Sequence, residues 1–253
     1  MRKHLSVFGL FARSSIIKVL LILLAMSTAE VVFFNIELQK SLETYEAIGS
    51  GMVNLEHIFD LSAINVYFRI ALVLITLVLS LPGCSFKSNT SYTLSRLSIT
   101  ERATFFIQAV YNTLTYVIFI AVQLVVAFVL SELYISSVPT ECISNQTVVL
   151  AFYRNEFLHS LLPFEDVGLW LRNTLLIILF GLTSAEFPYL QRRRKFSSTS
   201  IALAIYTIVY FDQGIGELLH VITTSIIALM VIGEVAYTLT RKDKEADPDD
   251  QTD

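Results

Sequence analysis

Long apolar runs alternate with short polar stretches along this chain. A helix needs about 20 mostly apolar residues to cross roughly 30 Å of hydrocarbon. By that measure the pattern predicts six membrane-spanning helices. They cover residues 14–34, 62–82, 103–131, 167–190, 198–211 and 217–239. The fifth is the shortest, so it is either a tilted neighbour of the sixth or part of a re-entrant hairpin.

The composition agrees with an integral membrane protein. Hydrophobic residues make up 54% of the chain, charged residues only 16%, and the mean hydropathy is +0.64. A soluble domain needs about a quarter of its residues charged. We therefore expect an all-α integral membrane protein with one transmembrane domain, residues 1–240. Residues 241–253 are acidic and almost free of apolar side chains, which predicts a disordered cytoplasmic tail.

Lysine and arginine set the predicted orientation, because cytoplasmic segments of membrane proteins are enriched in them. With the N-terminus in the cytoplasm, fourteen of the 18 basic residues fall on the cytoplasmic side. The opposite orientation would place those fourteen outside. Both termini are therefore expected in the cytoplasm. Cys84 and Cys142 then lie on opposite sides of the membrane and should not form a disulfide.

Two predicted external segments are longer than turns. Residues 35–61 are rich in glutamate and are divided by Gly49-Ser50-Gly51. In residues 132–166 the apolar side chains recur near helical spacing, which predicts an amphipathic helix at the outer interface. Its apolar stripe consists of Val149, Phe152, Phe157 and Leu161.

A search for catalytic and binding motifs finds none. There is no phosphate-binding loop, no G-x-S-x-G elbow and no H-E-x-x-H sequence. The four histidines stand far apart, and no cluster of four zinc ligands occurs. A basic face for nucleic acid is absent from the sequence as well. We therefore expect no catalytic residues, no metal site and no nucleic-acid partner.

Charged residues within predicted spans are costly in the bilayer and often functional. Glu30 and Arg69 lie at similar depths from the outer ends of the first and second spans. They could form an intramembrane ion pair between antiparallel helices, or each could reach the outer headgroups separately. Glu186 and Glu234 stand near the inner ends of their spans, which favours a structural role over a proton relay.

The polar stretch between the second and third spans is unusually patterned. Ser98 and Glu101 form an S-x-x-E capping box, so a helix is expected to start near Ile99 and continue into the third span. Before it, Tyr92, Leu94 and Leu97 give a small apolar side, with Arg96 beside them. The pattern predicts a short amphipathic cytoplasmic helix.

This stretch, YTLSRLSITER, resembles the cytoplasmic loop of permease subunits of ABC-2-type ABC transporters. Ser98 stands where those permeases usually carry proline. They also more often have their external helices before the last span, whereas here the amphipathic external segment precedes the fourth. The alternative is that residues 84–102 form a helix lying on the inner membrane surface.

The resemblance implies a division of labour. A separate ATPase subunit would bind ATP and Mg²⁺, so this chain would need no cofactor and would not itself be an enzyme. Tyr92, Leu94, Arg96 and Leu97 would sit in a groove of that ATPase and couple it to the spans. The other partners implied are a second permease copy or homologue and the lipid bilayer. The location implied is the cell membrane, as a multi-pass protein of a bacterial plasma membrane.

Two other functions stay open at this point. The chain could be a signalling or immunity membrane protein that binds a peptide at the outer face through residues 35–61 and 132–166. It could also be a membrane-embedded enzyme acting on lipid, which the missing catalytic constellation disfavours. A neighbouring ATPase gene would favour the transporter.

Overall fold

The structure is a computed structural model that describes residues 2–48, 52–82, 100–192, 198–211 and 217–245. All regular secondary structure in these ranges is helical. The α-helices are α1 (Arg2–Ile48), α2 (Leu55–Leu61), α3 (Ile64–Ser80), α4 (Glu101–Ser137), α5 (Thr147–Arg154), α6 (Glu156–Leu161), α7 (Val167–Arg192), α8 (Ser198–Tyr210) and α9 (Glu217–Glu245), with one 3₁₀ turn at Thr140–Cys142. The predicted all-α class is confirmed.

Four of the described helices are long and apolar enough to cross a membrane, namely α1, α4, α7 and α9. A fifth crossing results if α2 and α3 count as one span, although the two are bent by 52°. α8 has 13 residues, about 20 Å of helix, which is shorter than the roughly 30 Å of hydrocarbon. A multi-pass membrane protein is therefore consistent with the described helices.

Side-chain contacts fix the relative directions of α1, α3 and α4. Ser15 and Tyr111 are joined by a hydrogen bond of 2.8 Å between their hydroxyl oxygens. Further along both helices, Gln123 Nε2 donates to Glu30 Oε2 at 3.0 Å, so α1 and α4 run parallel. Gln108, early in α4, donates to the main-chain oxygen of Pro82, just after the end of α3. α3 therefore runs antiparallel to α4.

Side-chain contacts also fix the relative directions of α7, α8 and α9. Thr238, late in α9, donates to Glu186, late in α7, so these two helices run parallel. α8 runs opposite to both, because Thr199 at its start hydrogen-bonds Glu234 of α9. At the other end of α8, the main-chain oxygen of Phe211, the residue after the helix, accepts from Arg172 near the start of α7.

Two ends of the bundle follow from these directions. Arg102, in the first turn of α4, donates to the main-chain oxygen of Leu239, late in α9. We call this end, with Arg102, Leu239 and Glu186, the terminal end. The opposite end carries α2, α5 and α6 and is called the loop end.

The first helix is much longer than the predicted span of 14–34. α1 contains 47 residues, about 70 Å of helix, and continues to Ile48. The reason lies in residues 35–48, which contain no glycine or proline and are rich in the helix formers Glu, Leu, Gln and Lys. Part of the predicted external segment 35–61 is therefore a continuation of the first span. α9 likewise extends to Glu245, past the predicted start of the tail at residue 241.

The start of α4 differs by a few residues from the prediction. The N-cap is Thr100, whose hydroxyl accepts from the Ala103 amide at 3.4 Å, and the helix begins at Glu101. The predicted start near Ile99 with Ser98 as cap was therefore wrong. Two hydroxyl residues stand within three positions, and the local sequence pattern favoured the first of them.

The predicted single amphipathic helix at the loop end is two helices. Asn155 separates α5 from α6 because its side-chain oxygen caps α6, accepting from the Leu158 amide at 3.0 Å. Phe152 and Phe157 of the predicted stripe are buried, as expected. Val149 is not, with 58% of its surface exposed, although it lies in the same helix as Phe152.

A local irregularity joins α2 to α3. Ala63 has φ of 51°, the left-handed region that L side chains rarely occupy. Next to it, Ser62 is buried and its hydroxyl donates to the main-chain oxygen of Ile58 at 2.7 Å. The left-handed residue reorients the chain, which produces the bend between the two helices.

Candidate functional site: polar groups and a cavity inside the bundle

The predicted coupling residues lie in residues 83–99, outside the described part of the chain. These residues are Tyr92, Leu94, Arg96 and Leu97, and their roles stay predictions. What is described is the helix that follows them. α4 is the central helix of the bundle and packs most extensively against α7, with α1 next.

Gly181 makes the close approach of α4 and α7 possible. A Cβ at this position would lie 2.0 Å from the Thr113 hydroxyl oxygen and 3.0 Å from the Thr113 Cα. The hydroxyl could rotate away, but the backbone atom could not. The lack of a side chain at Gly181 therefore sets the distance between the two helices.

A small apolar cavity of about 40 Å³ lies in the middle of the bundle. Side chains of α3, α4, α6, α7, α8 and the residue after α8 line it. Its aromatic walls are Phe68, Tyr116, Phe119, Phe180 and Phe211, and Asn173 and Thr207 are its polar members. This volume holds only a few water molecules. A larger molecule could enter only if the helices moved apart.

The hydroxyl of Tyr116 ties three helices together beside this cavity. It donates to Thr76 of α3 at 2.8 Å and is hydrogen-bonded to Ser184 of α7 at 3.2 Å. Tyr116 itself is 1% exposed. A buried hydroxyl with two partners stabilises one packing of α3, α4 and α7.

A buried carboxyl group lies between α1 and α4. Glu30 and Gln123 are both fully buried, and Gln123 Nε2 donates to one carboxyl oxygen of Glu30 at 3.0 Å. Within the described residues, the other oxygen, Glu30 Oε1, has no hydrogen-bond partner, and neither has Gln123 Oε1. The partner of Glu30 that the structure shows is thus Gln123, and the ion pair with Arg69 stays a prediction.

A buried arginine joins the helices at the loop end. Arg172 is 1% exposed, and its guanidinium donates to the main-chain oxygens of Phe211 at 3.2 Å and Ser160 at 3.3 Å. It also donates to the side-chain oxygen of Asn173 and stacks 5.0 Å above the Phe211 ring. These contacts connect α6, α7 and the end of α8.

A more open, polar cavity of about 250 Å³ lies at the loop end between α2, the end of α4, the 3₁₀ turn and α5. On its wall, Glu56 and Arg154 form an ion pair with an N–O distance of 3.4 Å. Glu141 and the exposed thiol of Cys142 also border it. The cavity offers charges of both signs to a polar ligand.

The sequence pattern contained signals for some of these groups. Gln123 is an uncharged polar residue in the middle of a predicted span, a position where polar side chains usually face other helices. Arg172, near the outer start of the predicted span 167–190, is one of the four basic residues that the predicted orientation does not place in the cytoplasm. Its burial depends on α6 and Phe211, and no local pattern gives those contacts.

Among the described residues, no group of three or more His, Cys, Asp or Glu side chains is placed to hold a metal ion. Comparison with protein-family models, curated protein sequences and solved structures finds no match to this chain. A functional conclusion therefore depends on the residues and contacts described above.

Proposed function

We propose that this chain is the membrane-spanning permease subunit of an ATP-driven transporter of the ABC type. A separate ATPase subunit would bind and hydrolyse ATP, and two permease chains, identical or related, would form the pathway. Segment 91–97 would dock on the ATPase. The substrate would cross between the helices of the bundle.

One observation supports the proposal most strongly. α4 begins directly after the proposed docking segment, and the same helix lines the central cavity through Tyr116, Phe119 and Ile120. In its first turn, Arg102 also contacts α9. A displacement of the docking segment would therefore act on the helix that packs most extensively in the bundle and that borders the cavity.

The proposed topology has six crossings with both termini in the cytoplasm. The helix directions support it, because α1, α4 and α8 run one way while α3, α7 and α9 run the other. α8 is short, yet it extends from the level of Glu234 to the level of Arg172. In this arrangement the terminal end is cytoplasmic, and the membrane is a bacterial plasma membrane.

Pull-down of the tagged, full-length protein from mild detergent tests the proposal. We expect an ATPase subunit to co-purify. The double substitution Leu94→Asp with Leu97→Asp should abolish co-purification, because two charges would enter an apolar contact. Burial of each leucine contributes about 1.5–3 kcal/mol to such a contact.

The matched control is Ile48→Asp with Leu61→Asp, because both side chains are exposed and lie in the segment predicted outside the membrane. This variant should still bring down the ATPase. An ATPase retained by the variant at residues 94 and 97 would contradict docking through segment 91–97. A wild-type chain that purifies without any ATPase would contradict the transporter proposal itself.

Peptide binding at the outer face is the second candidate function. The polar cavity at the loop end favours it, since Glu56, Glu141 and Arg154 could pair with a zwitterionic ligand. Arg154→Met would then weaken binding of an added peptide to whole cells without altering ATPase co-purification. Peptide binding that is unaffected by this substitution would remove the support for this function.

A further inference from the structure

Four oxygen-bearing side chains meet at the terminal end, between α7, α8 and α9. The Thr238 hydroxyl donates to Glu186 Oε1 at 3.1 Å and lies 2.7 Å from the main-chain oxygen of Glu234. The Thr199 hydroxyl donates to Glu234 Oε2. Each carboxyl group thus accepts from a threonine of a neighbouring helix, and Thr238 lies one turn after Glu234 in α9.

The group is well shielded from solvent. Glu186 is 1% exposed, Thr199 5% and Thr238 7%, while Glu234 is half-buried. Within the described part of the chain, Glu186 Oε2 has no hydrogen-bond partner. A buried carboxylate oxygen without a partner is costly, so a ligand that this oxygen can bind would stabilise the arrangement.

The two carboxyl groups themselves favour a cation. Glu234 is close enough for its charge to act on Glu186, and two like charges repel each other in a poorly polarisable interior. Arg102 of α4 reaches the same end, but its guanidinium is exposed and donates to the main-chain oxygen of Leu239. Of the tyrosines at this level, Tyr189 is buried and Tyr237 is exposed.

The donor atoms narrow the class of cation. All four side chains offer oxygen, whereas zinc, copper and iron prefer sites that include nitrogen or sulfur. Ca²⁺ takes about six to eight oxygen ligands, and these four side chains offer at most six, the lower limit of that range. A singly charged alkali ion suits two carboxylates and two hydroxyl oxygens. We propose that Glu186, Glu234, Thr199 and Thr238 form a binding site for Na⁺.

A cation at this position would hold the ends of α7, α8 and α9 together. It would contact all three helices at once and offset the repulsion between the two carboxylates. The inference does not depend on the transporter proposal, because it concerns only the contacts among these three helices.

Thermal unfolding of the purified full-length protein in detergent tests the site. NaCl is compared with choline chloride at equal ionic strength, so that only the identity of the cation changes. Saturating Na⁺ should raise the Tm by about 4 °C. Direct binding of radioactive Na⁺ should be measurable on the same sample.

Substitutions then locate the bound ion. Glu186→Gln should weaken Na⁺ binding by at least about tenfold. Thr238→Val should weaken it less, because it removes a neutral ligand and leaves both carboxylates. The matched control is Glu165→Gln, which makes the same change at an exposed position just before α7 and should bind Na⁺ like the wild type.

The wild-type measurement alone can overturn the proposal. A Tm that is identical in Na⁺ and choline, with no Na⁺ bound, would do so. Stabilisation by acid without any response to Na⁺ would also contradict it, because a proton would then neutralise the carboxylates. Equal Na⁺ binding by the wild type and Glu186→Gln would show that the ion binds elsewhere.

Discussion

Two buried polar residues at the loop end, Arg172 and Asn155, differ from two buried glutamates between the long helices, Glu30 and Glu186. At the loop end, Arg172 uses each nitrogen of its guanidinium as a hydrogen-bond donor, and Asn155 uses both its amide nitrogen and its oxygen. Between the long helices, Glu30 and Glu186 each keep one buried oxygen without a partner in the described residues.

The difference separates structural roles from functional ones. A buried polar group whose partners are all present stabilises one arrangement of the chain. A buried carboxyl group with an unused oxygen contributes less to stability and is available for a ligand or a changed contact. Substitutions at these two kinds of residue should therefore affect the free energy of unfolding very differently.

The largest effect is expected at Arg172. Arg172→Met leaves the main-chain oxygen of Phe211 without its guanidinium donor, so we expect a loss of about 3 kcal/mol or more in the free energy of unfolding. Thermal unfolding in detergent measures it. Arg154→Met is the control, because the Arg154 side chain is 58% exposed and its ion pair with Glu56 should contribute less than about 1 kcal/mol. Similar losses for both variants would contradict the structural role of Arg172.

Substitution of Gly181 tests whether α4 and α7 approach each other as closely as described. Gly181→Ala should lower the free energy of unfolding by about 2–3 kcal/mol, because its Cβ would overlap Thr113. Gly233→Ala is the matched control in α9, where a Cβ would meet nothing within 4 Å. It should be neutral or stabilising, since alanine is the better helix former. Equal effects at the two positions would refute the close approach of α4 and α7.

Asn155 should come next. Asn155→Ala removes the cap of α6 and the bonds to the Glu56 main-chain oxygen at 3.1 Å and to Asp60 at 2.7 Å. We expect a loss of about 1–2 kcal/mol and faster proteolysis within α5 and α6. Asn145→Ala changes an exposed turn asparagine and should alter neither measurement. Unchanged proteolysis of Asn155→Ala would argue against its role as the link between α2 and α6.

The smallest effect is expected at Glu30. Glu30→Gln keeps an oxygen that can accept from Gln123, so the free energy of unfolding should change by less than about 1 kcal/mol. Gln123→Leu should lower the free energy of unfolding more, because it leaves the buried carboxyl group of Glu30 without its hydrogen-bond donor. Chemical unfolding of both variants measures this difference in the free energy of unfolding. The reverse order would show that Glu30 has a further partner on which stability depends.

The apolar runs were enough to predict the helical class and the approximate position of every long helix. They could not predict the length of α1, because residues 35–48 favour a helix without being apolar enough to indicate a span. The contacts of Gln123, Arg172 and Asn155 join residues between 12 and about 100 positions apart. Local periodicity carries no information at that range.

The roles proposed for the loop end and for the long helices assume the proposed orientation in the membrane. Labelling of the two native cysteines tests this orientation most directly. Cys142 is exposed in the 3₁₀ turn at the loop end. Cys84 comes two residues after Pro82 in the sequence, past the end of α3 that lies away from the loop end. A maleimide that cannot cross membranes is added to intact cells, and then to permeabilised cells, with Cys84→Ser and Cys142→Ser as the paired controls. The account predicts labelling of Cys142 in intact cells and of Cys84 only after permeabilisation. Labelling of Cys84 in intact cells, or of both cysteines from one side, would contradict it.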